Sequence, residues 1–244
     1  MKIALFTDLH GNLQALEAIL KALDEEKVDR IICLGDVIGV GPKSNECVEI
    51  LRNRPDIECI YGNHELYSTI HPNIGRKKWP DEFAHHTWVK STLSPENLEY
   101  LKNLPLKIED TYLGKKFLFV HFLLNDESAE NPFYSLKILW DKRVNDLAKD
   151  IEADYTFVGH EHGDFEVDNQ GKKLYDIGTC GCVHTDVTNY TLIEITDTIN
   201  IETIYVKFDR EGLKRDLEAY EYPRRNFVAN NFFGFEEFKY EGWA

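Results

Sequence analysis

The chain has 244 residues, of which 43% are hydrophobic and 29% charged, and this composition suits one large folded domain, or one domain with a modest insertion. Acidic residues outnumber basic ones 43 to 28, giving a formal net charge of −15; a surface of that sign repels phosphate backbones and argues against general nucleic-acid binding. No apolar run reaches the roughly 18 residues of a spanning helix, so no membrane association is expected.

The first residues, KIALF (Lys2 to Phe6), read as a short buried strand. They are too short for the apolar region of a signal peptide. Leu13, Leu16, Ile19, Leu20 and Leu23 recur three or four apart and predict an amphipathic helix, with Asn12 as its N-cap. RIICL (Arg30 to Leu34) is a second strand. Ser44 is expected to cap a short helix carrying Val48 and Leu51, and IECIY (Ile57 to Tyr61) is a third strand. Strands alternating with helices predict βαβ units and a largely parallel sheet. From Ser68 to Asn103 no strand pattern occurs. Trp79, Phe83, Trp88 and Val89 suggest one helix, and Ser94-Pro95 opens another; residues 68–103 therefore read as a helical insertion. Leu106 to His121 predicts a hairpin, Tyr134 to Asp150 a helix and Tyr155 to Gly159 a strand. Two further alternating stretches, from Phe165 and from Tyr190, predict antiparallel hairpins. A helix near Arg210 to Tyr220 precedes an aromatic-rich tail over 221–244 that contains Phe227, Phe232, Phe233, Phe235, Phe238 and Trp243. The tail reads as a packed terminus.

The five cysteines, Cys33, Cys47, Cys59, Cys180 and Cys182, form an odd set without a secretory signal. They predict reduced thiols and a cytoplasmic protein. Cys180-Gly181-Cys182 has no second cysteine pair and reads as structural.

Five polar segments each follow a predicted strand: Asp8-Leu9-His10-Gly11-Asn12, Gly35-Asp36, Gly62-Asn63-His64-Glu65, His121, and Gly159-His160-Glu161-His162. Ligands of α/β sheets bind at the carboxyl ends of strands, so loops leaving neighbouring strands can bring all five together. Carboxylate, imidazole and amide oxygen together suit Mn, Fe, Zn or Ni rather than thiolate-seeking ions. Two adjacent cations also need a bridging carboxylate. One such segment alone is most often a turn or a hydrogen-bonded core histidine. Five at successive strand ends point to a divalent-metal site.

The pattern D-x-H…G-D…G-N-H-E…H…G-H-x-H resembles the calcineurin-like metallophosphoesterase superfamily, and most of all its compact bacterial and archaeal phosphoesterases. The likeness extends over about 200 residues, because IGTCGCVHTDVTNYTLIEI is similar to the closing strand-turn-strand of that fold. It implies a single α/β (α+β) domain over 1–244, a four-layer αββα sandwich of two mixed sheets flanked by helices. It also implies two divalent cations. Asp8, His10 and His162 would hold the first, Asn63, His121 and His160 the second, and Asp36 would bridge them. His64 would be the catalytic residue, protonating the leaving oxygen or gripping a phosphate oxygen. A metal-bridging hydroxide would attack phosphorus in line. Asn12, Gly35 and Gly62 are candidate substrate-binding positions.

The chain departs from the family in places. Phe122 follows His121 where glycine is common, and Thr179 stands where serine is common. Protein phosphatases of the superfamily carry Asp-Arg-Gly after the second motif; this chain has Gly39-Val40-Gly41, and no arginine closely follows His64-Glu65. A small phosphodiester or nucleotide-type ester is therefore the expected substrate. A phosphomonoesterase or protein phosphatase, or a non-catalytic metal-binding scaffold, is the alternative. His85 and His86 read as surface or capping residues, His184 as marginal to the pocket, and Arg76, Lys77 and Lys78 as a solvated loop.

Overall fold

The computed structural model describes residues 1–69, 79–123 and 151–239. The expected helix over 134–150, His71, the Arg76–Lys78 cluster and Trp243 lie outside the described residues.

Ten strands form two five-stranded sheets. The first has the order β10-β9-β1-β2-β3, built from β1 (Lys2–Phe6), β2 (Arg30–Cys33), β3 (Ile57–Cys59), β9 (Val187–Ile195) and β10 (Ile199–Lys207). β1, β2 and β3 run parallel, as their helical connections require, whereas β9 pairs antiparallel with β1 and with β10. The second sheet has the order β4-β5-β6-β8-β7, from β4 (Lys107–Tyr112), β5 (Lys115–Val120), β6 (Tyr155–Val158), β7 (Phe165–Asn169) and β8 (Lys172–Asp176). Here β5, β6 and β8 run parallel, and the hairpin partners β4 and β7 close the edges. Two mixed sheets flanked by helices are the architecture that the resemblance implies.

The period of two along β1 assigns its side chains to two cores. Ile3 and Leu5 point into the space between the sheets, where they meet Ile32, Leu34, Phe117, Phe119 and Phe157. Ala4 and Phe6 point the other way, into a layer of helices. That layer contains α1 (Leu13–Glu26), α2 (Ser44–Arg52), α4 (Pro80–Thr92), α5 (Pro95–Lys102), α6 (Arg210–Ala219) and α7 (Arg225–Asn231), each with a side chain in one continuous core. Helix α1 presents Leu16, Ile19 and Leu23, all at most 1% exposed, and each contributes roughly 1.5–3 kcal/mol by leaving water. The aromatic tail joins this layer: Phe233, Phe235 and Phe238 are buried in it.

Local details depart from expectation in two places. Ser44 opens α2 rather than capping it; its hydroxyl accepts the Gly39 amide at 3.2 Å. A short helix, α3 (Asn63–Ser68), begins inside the third polar segment, where sequence periodicity gave no signal because the helix is barely two turns long.

Candidate active site

The carboxyl ends of β1, β2 and β3 in one sheet and of β5 and β6 in the other open toward the same place. Asp8, His10, Asp36, Asn63, His64, His121, His160 and His162 converge there. Five of these residues adopt left-handed backbone: φ is 54° at Asp8, 51° at His10, 50° at Asp36, 75° at His160 and 55° at His162. Side chains with a β-carbon rarely do so, and such strain clusters at functional loops.

Each aspartate is anchored through one oxygen and offers the other. Asp8 Oδ2 accepts from the Thr7 hydroxyl at 2.8 Å and the His160 amide at 3.0 Å. Its Oδ1 is buried without a hydrogen bond, although His162 Nε2 lies 3.2 Å away and His10 Nε2 3.5 Å. Asp36 Oδ1 accepts the His64 amide at 2.9 Å. Its Oδ2 lies 3.1 Å from His121 Nε2, 3.8 Å from His10 Nε2 and 4.0 Å from His64 Nε2. Glycine is needed beside each anchored oxygen. A β-carbon at Gly62 would fall 2.1 Å from Asp36 Oδ1, and one at Gly159 2.4 Å from Asp8 Oδ2.

The histidines are aimed by the backbone. His121 Nδ1 donates to the Leu34 carbonyl at 2.8 Å, and His10 Nδ1 faces the Ile38 carbonyl at 3.3 Å. Fixing Nδ1–H in this way turns Nε2 toward the aspartates. Asn63 Oδ1 lies 2.7 Å from His160 Nδ1 and 3.1 Å from His121 Nε2, and His10 Nε2 lies 3.0 Å from His162 Nε2. Donor atoms of Asp36, His121 and His160 fall within 4.8 Å of one another, as do those of His10, Asp36 and His64. Such a buried set, with an orphaned carboxylate oxygen at its centre, fits divalent cations.

The carboxylates and imidazoles shift one another's ionisation. Burial opposes ionisation of both aspartates, but the imidazoles prevail and hold each carboxyl below its usual range, with His121 the leading partner of both. Burial also disfavours charge on His121, yet Asp36 and Asp8 raise it to about 9. His64 goes the other way: burial lowers it well below the ordinary histidine value despite the pull of Asp36.

Glu65 has a role that its place in the motif did not suggest. Fully buried, it accepts the amides of Asp36 (2.9 Å), Val37 (2.9 Å), Ile38 (3.2 Å) and Gly62 (2.8 Å). One carboxylate thus ties the loop after β2 to the end of β3. Burial and the neighbouring Asp36 push it up to about 7.

A cavity of about 290 Å³ opens above the cluster. Its walls include Val40, Glu82, His85, His86, Arg224, Val228 and Phe232. His85 and His86 are therefore not surface residues; they are 4% and 8% exposed and face the cavity from α4. Arg224 comes from the far end of the chain, with its guanidinium 3.9 Å from Glu82 and 4.4 Å from the centre of the Phe227 ring. Only the i, i+4 spacing of Glu82 and His86 hinted at these wall residues. A larger groove of about 630 Å³ between α1 and α6 gathers no comparable chemistry.

Asn12, Gly35 and Gly62 do not line this cavity. Asn12 is fully buried, and both ends of its amide are engaged: Oδ1 accepts the Ala15 amide at 3.1 Å and Nδ2 donates to the Gly181 carbonyl at 2.8 Å. The Gly62 amide is held by Glu65. Gly35, at φ +97°, lets the β2 loop touch Gly62, where a β-carbon would lie 2.5 Å from the Gly62 nitrogen. In this structure all three shape the loops around the site. His184 also stays clear of the cavity, its Nε2 facing the Asn231 carbonyl at 3.1 Å.

A family model described as calcineurin-like phosphoesterase matches residues 1–164. A Methanocaldococcus jannaschii protein, MJ0912, is 32% identical over 235 residues, covering 90% of this chain and 87% of its own. The Escherichia coli serine/threonine-protein phosphatase 2 is 28% identical, covering 63% of this chain and 76% of its own. A symmetrical bis(5'-nucleosyl)-tetraphosphatase of Coxiella burnetii is 28% identical over 41% of this chain and 34% of its own. Among solved structures, the metallophosphoesterase of Sphaerobacter thermophilus superposes with a TM-score of 0.71 at 25% identity, covering 96% of this chain and all of that one.

Proposed function

Because this chain belongs to the calcineurin-like phosphoesterase family and is a hydrolase of phosphate esters, we propose that it cleaves a small phosphodiester or nucleotide-type phosphate ester with the help of two divalent cations. The observation that carries this reading is the pairing of Asp8 and Asp36, each anchored by one oxygen and offering the other to a shared ring of imidazoles. Asp8, His10 and His162 would hold one cation, Asn63, His121 and His160 the other, with Asp36 between them. Mn, Fe, Zn and Ni all suit this donor set. When bound, the pair supplies the positive charge that an acidic chain otherwise denies to a phosphate, and it acidifies water for attack on phosphorus.

The chain's own groups would do the rest. His64 stands over the site, its Nε2 4.0 Å from Asp36 Oδ2. There it would donate an N–H to a phosphate oxygen or a proton to the leaving oxygen. Val40, Val228 and Phe232 form an apolar part of the cavity wall beside the reacting groups. The cavity is at the small end of ligand sites, which favours a compact ester over a protein chain. The likeness to a bis(5'-nucleosyl)-tetraphosphatase supports a nucleotide-type ester. The likeness to a protein phosphatase supports a monoester as the second reading.

A panel of chromogenic mono- and diesters, with a dinucleoside polyphosphate, assayed after loading in turn with Mn²⁺, Zn²⁺, Fe²⁺ and Co²⁺ separates these readings. Faster turnover of the diester or the polyphosphate is expected. Inertness toward all three would overturn the proposal, and exclusive turnover of the monoester would establish the second reading.

A further inference from the structure

Cys182 lies in the turn after β8, and among the described residues its sulfur joins the nitrogens of His10 and His162 in a group whose members all fall within 4.8 Å of one another. Donors sharing one zinc-like ion lie about 2.3 Å (sulfur) and about 2.1 Å (nitrogen) from it, so their mutual separations fall in this range. A second, independent feature converges on the same place: Asp8 Oδ1, 0% exposed, has no hydrogen bond and lies 3.2 Å from His162 Nε2 and 3.5 Å from His10 Nε2.

The position of the thiol is built. The Thr179 hydroxyl and the Gly181 amide both donate to the Asp8 carbonyl, at 2.8 and 3.1 Å. The Cys180 amide donates to Thr7 at 3.0 Å, and Asn12 Nδ2 grips Gly181 at 2.8 Å. The Cys182 amide itself donates to Thr179 Oγ1 at 3.1 Å. A β-carbon at Gly181 would lie 1.9 Å from the Leu9 carbonyl, so only glycine lets this turn press against the loop that carries Asp8 and His10. The other four cysteines are at most 5% exposed and belong to the core between the first sheet and its helices. Cys182 packs against the edge of the same core and is the one cysteine that is not fully buried.

We propose that Cys182 is a further ligand of the cation held by Asp8, His10 and His162, a role that rests on the two-cation reading above. A sulfur donor in an otherwise nitrogen and oxygen set biases that position toward Zn²⁺, Fe²⁺ or Co²⁺ and away from Mn²⁺ or Mg²⁺. The second position, around Asn63, His121 and His160, has no sulfur in its donor group. The two positions would therefore differ in metal preference.

The test is the absorption spectrum of the full chain loaded with Co²⁺. A thiolate-to-cobalt charge-transfer band in the near ultraviolet is expected, and Cys182→Ser should abolish it while cobalt is still bound by equilibrium dialysis. Protein that binds two Co²⁺ and hydrolyses esters but shows no such band would overturn the ligand while leaving the enzyme reading intact, as would a band that survives in C182S. Failure to bind cobalt together with failure to hydrolyse any ester would overturn both. Should C182S not fold, alkylation of Cys182 by iodoacetamide, followed by mass spectrometry of the wild-type chain, decides. Protection of more than about tenfold by Zn²⁺ supports ligation, and an unchanged rate overturns it.

Discussion

The ring of His86 stands edge to face against that of His64, with centroids 5.0 Å apart. Tyr67 packs on both, at 4.9 Å from His86 and 5.8 Å from His64, and Gly39 leaves room behind, since a β-carbon there would fall 2.2 Å from His64 Nδ1. The orientation of the proposed catalytic imidazole is thus set by a helix that the motif itself does not include. His64→Gln is expected to lower kcat by about 10²–10⁴-fold with both cations retained by elemental analysis. His86→Ala, which acts through His64, should lower kcat by about tenfold, or about 1.4 kcal/mol of barrier, with little change in KM. Loss of metal in H64Q would show that His64 is a ligand instead.

Glu65 joins two site loops with four backbone hydrogen bonds. Glutamine in its place would turn an amide donor toward amide donors. Glu65→Gln is therefore expected to cost about 3 kcal/mol of stability, read as a lower urea midpoint with an unchanged m-value. A shift of less than about 0.5 kcal/mol, the size of an ordinary surface change, would refute this role.

His85 provides a pH dependence away from the metal ligands. Burial lowers it to about 4, outweighing the support of the Pro223 carbonyl, to which Nδ1 donates at 3.0 Å. The folded state therefore favours the neutral ring. That stability is fully present above the unfolded value near 6.5 and is lost as pH falls from there through about 4. The difference is worth about 3 kcal/mol. Asn at this position keeps a donor for Pro223 but does not titrate, so His85→Asn should lose about 3 kcal/mol less than wild type between pH 7 and pH 4 in urea unfolding. Parallel losses in the two proteins would contradict the assignment.

Arg224 brings a cation to the mouth of the cavity. Its guanidinium is 3.9 Å from Glu82 and lies over the face of Phe227, on the wall of the cavity that contains the site. Arg224→Ala should raise KM about tenfold and leave kcat within about twofold, the signature of binding shared by ground and transition states. A kcat effect as large as that of His64→Gln would place Arg224 at the reacting phosphate instead.

Much of this architecture was legible in the chain. The unbroken apolar run from Ile3 to Phe6 marks a strand buried on both faces, the leucines of α1 mark its inner face, and the strand-end position of the polar segments implied that they would converge. What was hidden depended on distant partners. His85 and His86 look like surface residues on a helix of mixed composition; they are buried because residues 222–232 cross above them, some 140 positions later in the chain. Arg224 and Phe232 reach the cavity for the same reason. Asn12 and Gly62, expected as substrate-binding positions, also serve the turns themselves, one as a helix cap and a stitch, the other as clearance for a carboxylate. Glu65 was visible as part of the G-N-H-E motif, but its role was hidden, because its four partners are backbone amides.

The five positive-φ residues of the site set stability and activity against each other. Glycine at Asp8, His10, Asp36, His160 or His162 would relieve about 1 kcal/mol or more of torsional strain per position, while deleting a side chain on which the proposed chemistry depends. At Asp8 and Asp36 that relief is set against the buried hydrogen bonds of the anchored oxygen. In these loops the strained backbone and the chemistry it presents are inseparable, so relaxing one abolishes the other.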